Sequence, residues 1–549
     1  MTIQHVPSKG RISIIKFQNF TIQRRQPVIR LVYGFLLVVI AIIMVIIDPI
    51  EIFTEWKTQI KNDSYIMRMW ENPTYKLYAD IYVFNYTNVP EYMAGTEKTL
   101  RVEEVGPFHY QELRTNENIT INEEDGTLTI MPKIVLKFLP EESIDHTKNV
   151  KLYLPNIALI AISTVAADHL PYLANSGLYL SAKTMGSNLF NNMNVHEFFW
   201  GFKDPVVTVA HKLFPGWIDF DSVGLLDRFY AESPTKVVLE MKDEKRRYSI
   251  NSWGGLGGIP QQGFTNLNSS TLCNRIKGSY EGLMISPRMT RDKIIPLYRR
   301  QACRIFPLTY VKDMNGYSGL NYYRYEIAKN AFSKSSPFAC NCTSKCLPEG
   351  FVDISGCYYG FPIALSKPHF MDVDPEQASY FTGMHPDPEK HTTKIDVEPT
   401  LGVPLSLYSK IQVNMAVRTS AGNPITSPLK DKVLPLVWLQ MYCKEPPADV
   451  IELLRLRLII GPPVVITIEV LLFLVGFCLG VQGAYRLMRP KYKLKEIRQD
   501  SKVIRRTSIR RTSLVINIAE NKCFRESDET EAVSLLGDPR ELQEFISRS

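Results

Sequence analysis

The 549-residue sequence lacks the short motifs that mark the commoner enzyme classes. There is no Gly-x-Ser-x-Gly, no His-Glu-x-x-His and no Gly-x4-Gly-Lys-Ser/Thr. Histidine is scarce, nine in all, and His385 and His391 of HPDPEKH are the only close pair between the apolar runs described below. That segment reads as a solvated loop, not a metal site. The glycine cluster Trp253-Gly-Gly-Leu-Gly-Gly258 lacks the spacing and strand–helix setting of a dinucleotide fingerprint and reads as a loop. No helix-turn-helix, zinc-finger or RNA-binding signature accompanies the net charge of +8, so nucleic acid is not an expected partner. No enzyme activity, cofactor or metal is expected.

Two local absences say more. Residues 1–30 contain Lys9, Arg11, Lys16, Arg24, Arg25 and Arg30 but no acid, and Leu31 to Ile47 contains no charge at all. Seventeen residues rising 1.5 Å each span roughly 25 Å, just enough for the hydrocarbon core of a bilayer. Asp48, Glu51 and Glu55 come immediately after. The positive-inside rule then keeps 1–30 in the cytosol, makes 31–50 the first transmembrane helix and sends the chain beyond it across. The long basic leader without a small-x-small cleavage site argues for a retained anchor. A second apolar run, Leu458 to Tyr485, is interrupted by Pro462-Pro463 and Glu469 and followed by Arg486, Arg489, Lys491, Lys493, Lys495 and Arg498. The expected organisation is therefore an ectodomain over 51–457, a second span over 458–485 and a cytosolic tail over 486–549. Glu469 is expected to snorkel or to pair within a homo-oligomer.

Cysteine placement fits this topology. Cys273, Cys303, Cys340, Cys342, Cys346 and Cys357 crowd into one part of the ectodomain and read as a disulfide framework; a zinc site on the C-x-C-x3-C run is the competing reading. Asn62, Asn85, Asn118 and Asn268 head glycosylation sequons, all outside. Alternation predicts strands over 75–86, 237–250, 410–419 and 434–441. Val105-Gly-Pro107 reads as a turn leading into a strand, and 118–138 as a hairpin about Asp125-Gly126. Leu154 to Phe202 has apolar residues at helical spacing, punctuated by Pro171 and Gly186 into two or three helices, whose greasy side is expected to line a ligand entrance.

Several phrases together resemble the class B scavenger receptor family, whose members include fatty-acid translocases, lysosomal integral membrane proteins and insect sensory neuron membrane proteins. They are Val105-Gly-Pro-Phe-His-Tyr110, Trp200-Gly-Phe-Lys-Asp-Pro205, Cys340-Asn-Cys-Thr343, Pro368-His-Phe370, His385-Pro-Asp-Pro-Glu-Lys-His391, Ile395-Asp-Val-Glu-Pro399 and Gln412-Val-Asn414. The resemblance runs from one anchor to the other and points to an insect-type member. It implies an α+β membrane protein: two transmembrane helices flanking one large ectodomain, with an antiparallel β-barrel-like core and an apical helical bundle at Leu154–Phe202. It implies the pairing Cys273–Cys340, Cys303–Cys357 and Cys342–Cys346. A tunnel would carry hydrophobic ligands (fatty acids, sterols, carotenoids or lipoprotein lipids) to the membrane, with Lys183, or else Lys151 or Lys203, greeting anionic head groups.

The tail carries further expectations. Glu531, Leu535 and Leu536 fit the acidic dileucine pattern that recruits clathrin adaptors. Ser508 and Ser513 follow Arg-Arg-Thr and suit basophilic kinases, whose phosphate would weaken attraction to anionic lipid. Expected residence is the plasma membrane, the endosome–lysosome membrane or both. A sorting receptor carrying a protein ligand on its apical helices is the alternative function.

Overall fold

A strand sends successive side chains to opposite faces, so alternating segments can bury one face and wet the other. The computed structural model describes residues 11–58, 61, 64–213, 221–230, 235–340, 342, 346–443 and 445–489. In chain order its strands are β1 (Leu77–Tyr86), β2 (Leu100–Asn122), β3 (Thr127–Phe138), β4 (Lys151–Pro155), β5 (Phe190–Asn194), β6 (Val237–Glu240), β7 (Ile250–Trp253) and β8 (Ile295–Arg299). Then come β9 (Arg304–Gly316), β10 (Leu320–Ile327), β11 (Val352–Asp353), β12 (Ile363–Ser366), β13 (Phe381–Thr382), β14 (Lys394–Glu398), β15 (Val403–Ala416) and β16 (Val433–Cys443).

One antiparallel path, β7-β6-β3-β2-β1-β16-β15-β14-β10-β9-β8, makes the body, with β12 also on β15. Chain-distant β1 and β16 pair at its middle, Ile81 opposite Leu439, which locks the two halves of the ectodomain together. The path does not close strand to strand. Its edge strands instead share one buried segment, Gly278–Tyr280. Gly278 N donates to Ile250 O of β7 (2.8 Å) and Ile250 N to Ser279 O (2.7 Å). Tyr280 N donates to Pro296 O of β8 and Tyr298 N to Tyr280 O, both 2.8 Å. Backbone groups at both edges are thus partly satisfied.

Terminal helices leave from one end of this body. Arg11–Ile47 is a single helix that carries Pro27 and breaks at Asp48, a longer element than the span expected from 31. At the other terminus, Ala448–Met488 runs on as 41 helical residues. Its prolines do not interrupt it. Pro462 and Pro463 lack N–H donors, and the turn before them, Leu456–Ile460, widens into a π-helix. The two long helices meet at glycine. A Cβ on Gly34 would stand 2.6 Å from Gly476 O and 2.6 Å from Gly480 N; one on Gly483 would stand 2.9 Å from Pro27 O. Small residues let helix backbones approach closely where lipid offers no hydrophobic drive.

Three local expectations change. Val105-Gly-Pro107 lies inside β2, where the pairing with β1 shifts register between Ile81 and Val83; this is a bulge at Gly106 (φ +158°), not a turn. The single strand expected over 237–250 is two, β6 and β7, because Asp243 caps a 3-10 turn at Glu244–Arg246. Leu154–Phe202 holds helices Ile157–His169, Tyr172–Thr184 and Val195–Trp200, but strand β5 intervenes and pairs with β4. Ile157–His169 is buried on nearly every side because it is core, packed under Arg418, whose guanidinium is bound to Asp168.

Candidate functional site

The inward face of the sheet encloses space. Ser409, Ile411 and Val413 of β15, Leu439 and Met441 of β16, and Phe306 and Leu308 of β9 follow the two-residue period of one strand face and line a chamber. Leu226, Phe229 and Tyr230 of helix Leu225–Tyr230 close one side. The space between its lining atoms amounts to about 760 Å³, open solvent at its edge included, and little of it is wide enough for a water molecule. It is a narrow, mainly apolar slot.

Two further cavities adjoin it, and Gln301 lines all three. The larger, about 1230 Å³ between atoms, shares Phe229 with the chamber and is bounded by the Cys303–Cys357 bridge, Trp253 and the exposed Tyr359 and Leu256. The smaller, about 480 Å³, shares Arg299 and Met441 with the chamber and is polar: Glu112, Arg114, Glu281 and Arg300 stand around it. Arg114 Nη2 meets Glu281 Oε2 at 2.7 Å, and Arg299 Nη1 donates to the Glu281 carbonyl at 3.3 Å. Burial raises the Glu112 carboxyl above its usual range, against the pull of Arg114 and Arg299, and lowers Arg299. The Tyr230 hydroxyl is raised, by burial first and then by Glu112.

A second buried polar group lies elsewhere on the sheet. Glu104 accepts from Trp438 Nε1 (2.7 Å) and pairs with His369 Nε2 (2.6 Å), while His391 stacks on His369 at 4.6 Å between ring centroids. Burial alone would raise Glu104, but the bonds to His369 and Trp438 hold its carboxyl at about 2. His391 is lowered to about 4, by burial and then by the charges of His369 and Lys390. His385 to Lys390 are exposed, as a solvated loop should be, but His391 at the end of HPDPEKH is only 1% exposed. The tripeptide Pro368-His-Phe370 is the reason: the ring finds a partner 22 residues away in sequence.

Among the expected site residues, Cys273 bridges Cys340, Cys303 bridges Cys357, and Cys342 bridges Cys346. Asn118 and Asn268 are exposed; Asn85 is half-buried and its side-chain carbonyl accepts from Tyr153 N at 3.0 Å. Lys151 and Lys183 are exposed, Lys183 beside the Tyr179 ring, and Lys203 is paired with Asp221 at 2.7 Å. None of the three lysines, and no residue of 154–202, lines the three cavities. The mouth-side wall comes instead from 225–230, 253–261 and 357–359. Asn62, Ser508, Ser513, Glu531, Leu535 and Leu536 lie outside the described residues. The interior charges were missed by sequence reasoning. Their signal is a charge at an inward position of an alternating strand: Glu112 and Arg114 continue the face of Phe108 and Tyr110.

A family model described as the CD36 family matches residues 32–487, the interval from the first long helix through the sheet to the last. The chain belongs to the CD36 family. Its relatives include scavenger receptor class B member 1 of Bos taurus, 29% identical over 415 residues, covering 74% of this chain and 79% of the relative. Lysosome membrane protein 2 of Homo sapiens is 27% identical over 392 residues, covering 70% and 78%. As a CD36-family membrane protein the chain has the two apolar terminal helices and large antiparallel ectodomain that its class B scavenger receptor motifs led us to expect.

Proposed function

We propose that this CD36-family chain takes up hydrophobic ligands, among them fatty acids, sterols, carotenoids or lipoprotein lipids, and delivers them to the membrane through the interior of its ectodomain. The observation that carries the reading is the apolar chamber inside the sheet, which shares Phe229 and Gln301 as wall residues with a cavity lined by the exposed Leu256 and Tyr359. Exposing a sixteen-carbon chain to water costs roughly 12 kcal/mol at about 0.8 kcal/mol per methylene, so an apolar passage lowers the barrier without covalent chemistry. The narrowness of the slot means that side chains such as Phe229 and Met441 shift as a chain passes.

In this reading the body is barrel-like, its seam closed by Gly278–Tyr280, and the helices within Leu154–Phe202 form the apex. β16 supports that placement: Val433 at its start pairs with Ala416 of β15, two residues before Arg418, whose N–H donates to Thr164 Oγ1, and the strand ends, roughly 35 Å on at strand spacing, just before the last helix. Residues 31–50 and 458–485 span the bilayer, 51–457 lie outside, and 1–30 and 486–549 lie in the cytosol. There Glu531, Leu535 and Leu536 engage clathrin adaptors, and residence is at the plasma membrane, the endosome–lysosome membrane or both.

A sorting receptor is the second reading. It is favoured by the apolar surface of helix Tyr172–Thr184, where Tyr172, Leu173 and Leu180 are 66%, 80% and 61% exposed. Uptake of labelled fatty acid, sterol and carotenoid by expressing cells separates the two. Ser409→Phe, which pushes a ring into the chamber, is expected to reduce uptake with surface amount unchanged, whereas Leu173→Ser and Leu180→Ser are not. Uptake of all three ligands indifferent to expression overturns the lipid reading. Loss of a co-purifying soluble protein in the Leu173 and Leu180 variants would establish the second.

A further inference from the structure

The polar cavity differs chemically from the two spaces beside it. Three guanidinium groups, Arg114, Arg299 and Arg300, face two carboxylates, Glu112 and Glu281. One carboxylate is committed: Glu281 is held by Arg114. Glu112 is 6% exposed, and its Oε2 finds no hydrogen-bond partner among the described residues. Arg299 Nη1 is engaged by the Glu281 carbonyl, but its Nε and Nη2 find no partner among the described residues, and neither does Arg114 Nε.

Nε and Nη2 are the two parallel donors on one edge of a guanidinium, the fork that matches the two oxygens of a carboxylate. The same molecule shows that fork filled. Arg324 gives Nε to Asp396 Oδ1 and Nη2 to Oδ2, both at 2.8 Å, and Arg291 holds Asp313 likewise at 3.2 and 2.9 Å. At Arg299 the fork is buried and unfilled, and a buried unpaired donor is costly. Arg299 lines the apolar chamber as well as the polar cavity, so an anion on its fork can lay a chain against Ile411, Val413 and Leu439.

We propose that Arg299 is the head-group site of an internal binding place for a single-chain amphiphile bearing a carboxylate, with its tail in the adjoining apolar chamber. This rests on the reading of the interior as a lipid conduit and adds a selectivity to it. A neutral lipid in the same chamber leaves the fork unfilled, while a carboxylate satisfies it. Glu112 is the internal competitor: it presents the same chemistry to the same cluster, and burial disfavours its charged form.

The test uses the full chain in lipid nanodiscs and compares palmitate with methyl palmitate, which keeps the tail and removes the charge; hexadecyl phosphate tests whether another anion serves. The wild type is expected to favour palmitate over its ester by roughly ten- to a hundredfold, the range of a charge-assisted pair. Arg299→Gln leaves buried acids uncompensated and can fail to fold, so the neutral pair Arg299→Gln/Glu112→Gln is made beside it. That double variant is expected to bind the ester as the wild type does and to lose the preference for the acid. Glu112→Gln alone is expected to raise the preference. Equal binding of acid and ester by the wild type overturns the head-group site while leaving the conduit intact. A stronger hold on hexadecyl phosphate than on palmitate overturns the assignment to carboxylate. Binding of none of the three contradicts the conduit itself.

Discussion

Glu104 shows how single residues tie this structure to pH. His369 and Trp438 converge on its carboxylate, and the His391 ring lies over His369 with Lys390 and Asp387 beside it. The folded His391 imidazole titrates near 4 and the unfolded one near 6.5. Between those values the unfolded chain binds a proton that the folded one does not, so stability is present above pH 6.5 and is lost as pH falls toward 4. Glu104, held at about 2 against 4.5 unfolded, acts with the same sign over the lower window from 4.5 to 2. The His391 contribution amounts to at most about 3 kcal/mol. Denaturant midpoints measured from pH 7 to 4 should therefore decline, and His391→Gln should flatten the decline; an unchanged slope would contradict the assignment. A second residue-scale expectation concerns Asp396, which is buried under Arg324 and Ser406. Asp396→Asn removes one partner of a largely buried pair and should lower stability by about 3 kcal/mol, read from the same denaturant curves.

Among elements, the sheet was the most legible in the sequence. YKLYADIYVFNY, TLTIMPKIVLKF and KIQVNMAVRT alternate and each holds a strand; in the first two the more buried residues fall mainly on one face, whereas Gln412 to Ala416 of the third are buried on both. Alternation identifies faces but not partners, so the β1–β16 pairing and the Gly278–Tyr280 seam were out of reach. Helices misled where burial was complete: ALIAISTVAADH carries too little polar contrast to show which face meets what. The apolar runs were readable as spans because charge flanks them, yet their contact was not read, although Gly476-x3-Gly480 was there to be noticed. Gly34→Leu is expected to force the terminal helices apart, since even a Cβ would stand 2.6 Å from the Gly476 carbonyl. The distance between spin labels on the exposed positions Leu36 and Phe477 reports it: short in the parent, longer in the Gly34→Leu background. An unchanged distance would contradict this packing.

At the scale of the whole molecule, composition and motif order were enough for the family, and the six clustered cysteines for the stapled region that borders the mouth-side cavity. The cavities were not legible, because an interior space is a property of surfaces facing each other across a sheet whose pairing order is non-sequential. Lys183, a candidate by charge and position, is an exposed residue of helix Tyr172–Thr184 that lines none of the three cavities. The central claim is that ligand travels through the chamber lined by Ser409, Ile411, Val413 and Leu439. The direct measurement is transfer of a fluorescent long-chain fatty acid from a soluble donor to vesicles carrying the reconstituted chain, read as the rate of arrival in the bilayer. Wild-type protein should accelerate transfer, and Ser409→Phe, folded to the same thermal midpoint, should bring the rate back to that of bare vesicles. A Ser409→Phe rate equal to the wild type would contradict passage through the ectodomain.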